Sequence, residues 1–272
     1  MKNWRFINSK FSHPYVNMAV DESLLESYSK TGVPVLRIYG WKPAGFSVGF
    51  SQDTPAVLDL QKCKSDNIPV VKRLTGGTII FHDDEITYSL VCSQSDIPEI
   101  STVKEGYKHI CGGLIDFYGR LGLDARFSLY DPQAFKNKSA FCFASCQDYD
   151  IMINGKKIGG NAQRRKKNLI LQHGSIPLGL DIKKINRFLK EDIIKVTGNT
   201  TCLNDLTGER QEFDCLVDLL KKSFESSLNV EMVVDNLTEA EKDSASQLEA
   251  EKYSRPEWNI YARPFSKAGM AA

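Results

Sequence analysis

The sequence predicts an α+β fold in which a mixed β-sheet is flanked by helices. Strand-like runs outnumber helix-like runs and do not alternate with them regularly, which disfavours a doubly wound parallel sheet. The 272 residues include 42% hydrophobic and 25% charged residues, a composition that is ordinary for a soluble globular protein. A chain of this length can bury a substantial core as one large domain or two small ones.

The elements of the first third follow from local patterns. Helix-spaced apolar residues predict a first helix over residues 17–30, which Gly32 and Pro34 end. Pro43-Ala44-Gly45 predicts a turn between two strands, and Thr75-Gly76-Gly77 separates two more. The predicted strands cover residues 35–39, 46–50, 68–73, 78–81 and 85–92.

The rest of the chain carries clear start and stop signals. Thr102 and Glu105 form a capping-box pattern that begins a helix, and Gly122 ends it. The clearest hairpin covers residues 149–158, around the type I′ dipeptide Asn154-Gly155. Further predicted elements are a strand over 168–176 stopped by Pro177, a short helix over 182–188, an amphipathic helix over 215–228, and a surface helix over 237–253 that starts at a Thr238/Glu241 capping box and has a frayed end.

Charge and hydropathy exclude several functional classes. The formal net charge of +1 argues against a basic body that wraps nucleic acid. The N-terminus carries no apolar stretch of signal-peptide length, and no apolar run approaches the ~20 residues that span a bilayer. We therefore predict a cytoplasmic protein with neither a nucleic-acid partner nor a membrane partner.

Seven cysteines are scattered along the chain without a pairing pattern. Their odd number and irregular spacing argue against a disulfide framework, and no Cys-x-x-Cys pair supports a zinc site. We predict no metal, mostly buried and reduced thiols, and at most one or two reactive ones. The cysteines are Cys63, Cys92, Cys111, Cys142, Cys146, Cys202 and Cys215.

Two segments combine a cation with paired glycines. Arg73 precedes Thr75-Gly76-Gly77, where the backbone can approach a ligand closely and the guanidinium can hold an anionic group. This segment matches neither the phosphate-loop nor the dinucleotide fingerprint, and alone it predicts an ordinary β-turn. Lys156-Lys157 precedes Gly159-Gly160, where the ammonium of one of these two lysines can hold an acyl carbonyl or an oxyanion. A solvated charge at a hairpin end is the alternative; Lys156 and Lys157 point to opposite faces of a regular strand.

Three further features each allow a functional and a structural interpretation. Cys142 lies between two aromatic residues, and a thiol beside an ammonium has a lowered pKa and can attack a thioester, although a buried structural cysteine is the alternative. His173, at a predicted strand end, is either a site residue or a capped core histidine. Arg164-Arg165-Lys166-Lys167 is either a solvated loop or a docking patch for an acidic protein. No aspartate joins a serine–histidine pair at a defensible spacing, so a serine hydrolase is unsupported.

In combination, these segments resemble the biotin/lipoate A/B protein ligase family. The resemblance runs from about residue 4 to residue 180, and the tail also looks like the end of family members. The segments that carry it are Asn17-Met18-Ala19-Val20-Asp21-Glu22, Arg37-Ile38-Tyr39-Gly40-Trp41, Arg73-Leu74-Thr75-Gly76-Gly77, His82, Thr87-Tyr88-Ser89, Gly155-Lys156-Lys157-Ile158-Gly159-Gly160-Asn161-Ala162 and Gln172-His173-Gly174.

The resemblance implies a class II biotin/lipoate protein ligase-like catalytic domain over residues 1–235, followed by a C-terminal helical tail over 236–272. It implies that Lys157 is catalytic and contacts the acyl carbonyl. The substrate-binding residues that it implies are Arg73, Thr75, Gly76, Gly77, His82, Gly159, Gly160, Asn161, Ala162, His173 and Gly174.

The family contains both ATP-dependent lipoate ligases and octanoyltransferases. In one octanoyltransferase subgroup a Cys-Phe pair lies thirteen residues before the glycine of the lysine motif, and here Cys142-Phe143 lies thirteen residues before Gly155. The resemblance therefore implies that Cys142 is the nucleophile, with octanoyl-acyl carrier protein as donor and no cofactor. The implied acceptor is a lipoyl-carrier domain, either the glycine cleavage H protein or a dehydrogenase E2 lipoyl domain. The alternatives are a lipoate–protein ligase that uses ATP and Mg²⁺, and an amidotransferase that moves octanoyl between carrier domains, for which Cys146 is the candidate nucleophile.

Overall fold

A computed structural model describes residues 3–97, 102–131, 141–142, 149–194 and 197–261. It confirms the α+β class. The strands are β1 (Asn3–Ser12), β2 (Val35–Trp41), β3 (Gly45–Val48), β4 (Val70–Lys72), β5 (Ile80–His82), β6 (Glu85–Ser93), β7 (Ala125–Phe127), β8 (Ile151–Ile153), β9 (Lys156–Ile158), β10 (Gly160–Lys166), β11 (Leu169–Pro177), β12 (Thr200–Thr201) and β13 (Glu231–Val234). The α-helices are α1 (Pro14–Thr31), α2 (Thr54–Val57), α3 (Leu60–Ser65), α4 (Val103–Arg120), α5 (Ile182–Asn186), α6 (Leu203–Thr207), α7 (Phe213–Leu228) and α8 (Glu239–Leu248).

A six-stranded sheet forms the centre of the fold, in the order β10-β11-β6-β2-β1-β13. Strand β1 pairs in parallel with β2 and with β13, whereas the pairings from β2 through β6 and β11 to β10 are antiparallel. The predicted mixed sheet is therefore confirmed. Because β10 is an edge strand, one side of its backbone remains open toward the rest of the molecule.

Helices cover both faces of this sheet. On one face, α4 and α7 pack together over apolar residues that include Trp4, Leu36 and Phe224. On the other face, α1 packs against α8 over a second cluster that includes Leu24 and Tyr253. Alternate strand residues point to opposite faces, so the sheet supplies side chains to both clusters. In the described part of the chain, no helix is both long enough and apolar enough to cross a membrane.

Two smaller sheets flank the edge of the central one. Strands β4-β3-β5 form a three-stranded sheet, and β12-β9-β8-β7 form a four-stranded sheet. The predicted hairpin is confirmed as β8 and β9, with φ of 51° at Asn154 and 72° at Gly155. Asparagine and glycine both tolerate this left-handed backbone, so the two-residue turn fixes the register of the hairpin.

The C-terminal segment differs from its prediction. Helix α8 begins at the predicted Thr238/Glu241 capping box but continues as wider helical turns over Glu249–Tyr253. The Tyr253 side chain is fully buried and donates a hydrogen bond to Glu22 Oε2 at 2.7 Å. The predicted frayed end is therefore wrong, because these contacts with α1 anchor the segment. The division of the chain at residues 235 and 236 stays a prediction.

Two strand boundaries differ from the prediction, and they change where His173 and the basic run of residues 164–167 lie. The strand predicted to stop before Pro177 includes it, and His173 lies in the middle of β11 rather than at a strand end. The basic run begins in edge strand β10 rather than in a loop, because the chain turns only at Lys167, with a φ of 55°. Both differences follow from long-range strand pairing. Strand β11 pairs with β6 as far as Pro177 and Glu85, and seven residue pairs join β10 to β11.

Candidate active site

Strand β9 holds Lys157 with its side chain almost completely buried at 2% exposure, whereas Lys156 is exposed on the opposite face, as predicted. The Lys157 ammonium donates to Asp150 Oδ2 at 2.7 Å and to the backbone oxygen of Cys142 at 3.0 Å. Its nitrogen lies 3.9 Å from Cys142 Sγ. The two residues predicted to be catalytic therefore lie side by side.

The backbone of Cys142 is tied to the sheet region beside it. Its amide donates to the backbone oxygen of Ile79 at 2.9 Å, and the preceding Phe141 forms a bridge with Ile79. The Cys142 side chain is half-buried and borders a cavity. Cys146 lies outside the described residues.

The other described cysteines are less suited to chemistry. Cys63, Cys92, Cys111 and Cys202 are buried, and Cys215 is exposed on α7. Burial raises the pKa of Cys63 to about 11 and the pKa of Cys111 to about 12, so these two thiols stay protonated at neutral pH. Cys142 thus differs from the buried thiols in its access to solvent-filled space.

Asp150 is a site residue that the sequence analysis missed. It is 6% exposed and forms a buried ion pair with Lys157. A signal for it exists, because the two-residue hairpin turn places Lys157 opposite Met152. Asp150 precedes Met152 by two residues and therefore shares its face, as a diagonal neighbour of Lys157 across the hairpin.

A cavity of about 650 Å³ opens in front of the thiol and the ammonium. Its walls come from α4, β10, the loop before β5, and the β8–β9 hairpin with the residues that precede it. The described lining residues are Gly76, Gly77, Thr78, Lys104, Tyr107, Cys142, Tyr149, Asp150, Lys157, Asn161, Ala162, Gln163 and Arg165. Among the residues predicted to bind substrate, Gly76, Gly77, Asn161 and Ala162 therefore face this cavity.

Two predicted glycines allow the close packing behind the thiol. A Cβ atom on Gly160 would lie 2.6 Å from Cys142 Sγ, well inside contact distance. Gly159 has a φ of +79°, and a Cβ there would lie 2.4 Å from the backbone oxygen of Ser175. A side chain at either position would displace the strand or the thiol. The absence of a side chain at both positions therefore allows this packing.

Arg73 has a different place from the one predicted. Its guanidinium is buried, and its nitrogens donate to five acceptors within the chain, so it does not present the predicted free fork to an anion. Burial lowers its pKa to about 10, and the group stays charged at neutral pH. The acceptors are Thr75 Oγ1 at 3.1 Å, the backbone oxygen and Oγ of Ser47 at 3.0 and 3.1 Å, and the backbone oxygens of Gly76 and Thr78 at 2.8 Å each.

Two carboxylate–histidine–hydroxyl chains converge on Arg73. In the first, His173 Nδ1 lies 3.5 Å from Asp21 Oδ2, and Nε2 lies 2.6 Å from Thr75 Oγ1. Because Thr75 accepts from Arg73, its hydroxyl proton is directed to His173. Burial lowers the pKa of His173, which favours the neutral ring that this arrangement requires.

The second chain has the same order. His82 Nδ1 lies 2.9 Å from Glu85 Oε1, and its Nε2 lies 2.7 Å from Ser47 Oγ. The His82 ring also stacks on Trp41, with ring centroids 3.7 Å apart. The hydroxyls of Ser47 and Thr75 are buried and already bonded, so neither is placed as a nucleophile, although each chain has the composition of a hydrolase triad. Together the chains fix Arg73 and, through it, the carbonyls of the Gly76–Thr78 loop.

A second, much smaller cavity of about 20 Å³ lies between this buried layer and β10. Its lining includes five predicted substrate-binding residues besides Ala162, which borders both cavities: Arg73, His82, Gly160, His173 and Gly174. Thr75 lies behind this lining, where its hydroxyl is hydrogen-bonded to both Arg73 and His173. Within the described ranges, no three His, Cys, Asp or Glu side chains are grouped to hold a metal ion.

A mixed-sheet α+β domain with a lysine hairpin beside a glycine-rich edge strand has clear counterparts among known proteins. A family model described as the lipoyl protein ligase A/B catalytic domain matches residues 13–225. A relative from Bacillus subtilis (strain 168), named octanoyltransferase LipM, is 35% identical in an alignment that covers 95% of this chain and 98% of the relative.

Solved structures agree on the fold. A lipoate-protein ligase A bound with ATP superposes with a TM-score of 0.80 at 24% identity, over 96% of this chain and 99% of the other. A bipartite lipoate protein ligase from Thermoplasma acidophilum, studied with its E2 lipoyl domain, superposes with a TM-score of 0.79 at 22% identity, over 98% and 100% of the two chains. This chain belongs to the lipoyl protein ligase A/B catalytic domain family.

Proposed function

We propose that this protein is an octanoyltransferase of lipoate biosynthesis that moves an octanoyl group from acyl carrier protein to a lysine of a lipoyl-carrier domain. The name octanoyltransferase LipM of a relative that matches almost the whole chain supports the reaction. The observation that carries the proposal is the 3.9 Å separation of Cys142 Sγ and Lys157 Nζ beside an open cavity. A thiol is suited to this chemistry because the transfer of an acyl group from one thiol to another is nearly isoenergetic.

In the first half-reaction, the Cys142 thiolate attacks the carbonyl carbon of the octanoyl thioester. A new carbon–sulfur bond forms to Cys142, the bond to the carrier's sulfur breaks, and the carrier leaves as a thiolate that takes up a proton. While the carbon is tetrahedral, its oxygen carries negative charge. The Lys157 ammonium, close to Sγ, stabilises that oxyanion.

In the second half-reaction, the neutral amine of the acceptor lysine attacks the Cys142 thioester. The amide bond forms, the bond from carbon to Sγ breaks, and the proton lost by the amine balances the thiolate that is regenerated. Lys157 again lies next to the reacting oxygen. The order of events predicts ping-pong kinetics.

Asp150 has a supporting role in this mechanism. Its carboxylate holds the Lys157 ammonium at 2.7 Å and balances that buried positive charge. A fixed ammonium loses little freedom when the transition state forms, which is the condition for efficient electrostatic stabilisation. Asp150 is therefore a positioning residue that acts through Lys157.

The acceptor is a lipoyl-carrier domain, of which the glycine cleavage H protein and a dehydrogenase E2 lipoyl domain are the two candidates. The T. acidophilum neighbour, studied with its E2 lipoyl domain, supports this class of partner. The reaction uses the energy of the thioester and needs no cofactor. ATP and Mg²⁺ belong to the alternative reaction, the ligation of free lipoate.

The test is a transfer assay without ATP. The protein is mixed with octanoyl-acyl carrier protein and an unmodified lipoyl domain, and the mass of the lipoyl domain is followed. The account predicts a gain of one octanoyl group, lost in Cys142→Ala and retained in Cys215→Ala, whose thiol is exposed on α7. Modification that requires free lipoate and ATP, and that survives Cys142→Ala, would overturn the proposal in favour of a ligase.

A further inference from the structure

The large cavity carries more positive charge than the proposed reaction uses. Its described lining contains three cations, Lys104, Lys157 and Arg165, and one carboxylate, Asp150. Asp150 is paired with Lys157, which leaves two cations without a function. An octanoyl thioester is neutral, so neither the acyl chain nor the reacting carbonyl accounts for them.

The guanidinium of Arg165 is only partly satisfied. Its Nε donates to Gln163 Oε1 at 2.8 Å, whereas its Nη2 is buried and has no hydrogen-bond partner among the residues that the structure describes. A buried donor without a partner costs free energy, and an arginine fork is well shaped to receive phosphate oxygens. The arginine therefore has unused capacity for an anion.

Lys104 of α4 supplies the second cation of the cavity lining. It is exposed in the first turn of α4, where the backbone amides give the helix end a partial positive charge. The neighbouring carboxylate, Glu105, accepts from the Thr102 amide at 2.9 Å as part of the capping box. Two cations from two different elements, α4 and β10, thus border the same cavity as Cys142.

The distance from Arg165 to the Cys142 thiol fits a specific kind of ligand. Gly160 adjoins Cys142 Sγ, and Arg165 lies five residues further along the same strand. At roughly 3.3 Å per residue, the two positions are ~17 Å apart. Cellular acyl thioesters are generally borne on phosphopantetheine, an arm of comparable extended length with a phosphate at the end opposite the sulfur.

We propose that Lys104 and Arg165 form a phosphate-binding subsite that holds the phosphate of the donor's phosphopantetheine arm while its thioester lies at Cys142. The inference rests on the proposed function, because it assumes a thioester donor. It assigns Arg165 a specific ligand, in place of the general docking patch that its basic neighbours suggested. Nucleotide phosphates have the same chemistry and are the competing source of such a ligand.

The test compares two small donors, octanoyl-4′-phosphopantetheine and octanoyl-pantetheine, which differ only in the phosphate. Acylation of Cys142 is followed by intact-protein mass spectrometry. We expect kcat/KM to be about 10- to 100-fold higher for the phosphorylated donor, the range for hydrogen bonds to charged groups. In Lys104→Ala/Arg165→Ala this ratio falls toward one.

A matched control removes the same charge elsewhere. Lys108→Ala/Lys166→Ala alters one exposed lysine on α4 and one at the end of β10, neither of which borders the cavity, and it keeps the wild-type ratio. If the half-buried Arg165 variant does not fold, the exposed Lys104→Ala alone still lowers the ratio. Both measurements use the full chain.

Three results would overturn the subsite. Equal rates with both donors in the wild-type protein would show that the protein does not recognise the donor's phosphate. A loss of activity in the double variant with acyl carrier protein, without any phosphate dependence, would make the cations a contact for the carrier's surface. ATP binding that depends on Lys104 and Arg165, without donor discrimination, would assign the site to a nucleotide. Failure of the proposed function looks different, because neither donor would acylate Cys142.

Discussion

The open cavity at Cys142 and the buried layer around Arg73 contain similar residue types but differ in access. The buried layer has two carboxylate–histidine–hydroxyl chains, and the hydroxyls of Ser47 and Thr75 are enclosed and fully bonded. The cavity has one half-buried thiol next to one charged lysine. Residue type alone would favour the triads; access to a space that can hold a substrate favours the thiol.

The two regions are nevertheless connected. The buried layer holds the carbonyls of Gly76 and Thr78 through Arg73, and these loop residues form one wall of the cavity. The layer can therefore affect catalysis by moving the loop, whereas residues of the cavity contact the space in front of the reacting atoms. Substitutions in the two regions should separate into effects on stability and effects on rate.

The largest effect among these predictions is expected for Lys157→Met. Methionine fills a similar volume but removes the ammonium, so the oxyanion loses its stabilising charge. We expect the rate of Cys142 acylation to fall by about 10²- to 10³-fold, as for the loss of one oxyanion donor. Lys156→Met, on the exposed face of the same strand, is the control and should remain within twofold of wild type, roughly the range of neutral surface changes. Equal loss in both variants would contradict the assignment.

A smaller effect is expected for Asp150→Asn. The amide keeps the shape of the side chain but removes the carboxylate charge that pairs with the buried Lys157 ammonium. We expect kcat to fall by about 10-fold, a weaker effect than loss of a direct donor, with KM little changed. A lowered kcat together with an unchanged KM is the result expected of a residue that positions Lys157. A wild-type kcat would indicate a purely structural role for Asp150.

Gly160→Ala tests the packing behind the thiol. The added methyl group would lie 2.6 Å from Cys142 Sγ, so the thiol must move from its place beside Lys157. We expect acylation to slow by roughly 10-fold, as for a small misplacement of reacting groups. Gly119→Ala is the matched control, because nothing lies within 4 Å of its added Cβ on α4. A Gly160→Ala protein with wild-type rate would show that the thiol does not react from this position.

In the buried layer, Thr75→Val should act mainly on stability. Valine removes the hydroxyl that joins Arg73 to His173 and leaves both without that partner. We expect the free energy of unfolding, measured by chemical denaturation, to fall by about 1–3 kcal/mol. The change in acylation rate should be smaller than that of Gly160→Ala. The reverse order of effects would mean that Thr75 touches the substrate.

The smallest effect concerns pH. Burial lowers the pKa of His173, so the unfolded chain binds a proton at a higher pH than the folded chain does. The contribution to stability is complete above the ordinary histidine value of 6.5 and is lost as the pH falls from there through the folded-state value. Burial also lowers the pKa of His13, so His173→Asn should reduce this pH dependence without abolishing it. Denaturation curves between pH 8 and pH 5 measure it, with His109→Asn as the control; an unreduced slope would contradict the neutral buried ring.

The sequence predicts what local chemistry decides. The Asn154-Gly155 turn, the Thr102/Glu105 cap and the opposite faces of Lys156 and Lys157 depend on residues close together in the chain, and all are confirmed. The choice of Cys142 among the cysteines follows from a spacing that resembles one subgroup of the family, and the structure places its Sγ 3.9 Å from Lys157 Nζ. Asp150 could have been found from the register of the same hairpin.

The Arg73 layer could not be derived in this way. Its members come from separate strands, with Ser47 on β3, His82 on β5 and His173 on β11, and only long-range pairing brings them together. The C-terminal anchor has the same cause, because Tyr253 and Glu22 are separated by 231 positions. The local pattern of charges and a cap therefore predicts a surface helix with a frayed end, whereas the buried Tyr253 anchors this segment to α1.

The mechanism requires an acyl-enzyme at Cys142, and intact-protein mass spectrometry after brief mixing with octanoyl-acyl carrier protein detects it. We expect a mass gain of one octanoyl group that hydroxylamine removes, present in the wild-type protein and in Cys215→Ala but absent in Cys142→Ala. An adduct that persists in Cys142→Ala, or transfer to the lipoyl domain without any adduct on this residue, would contradict it.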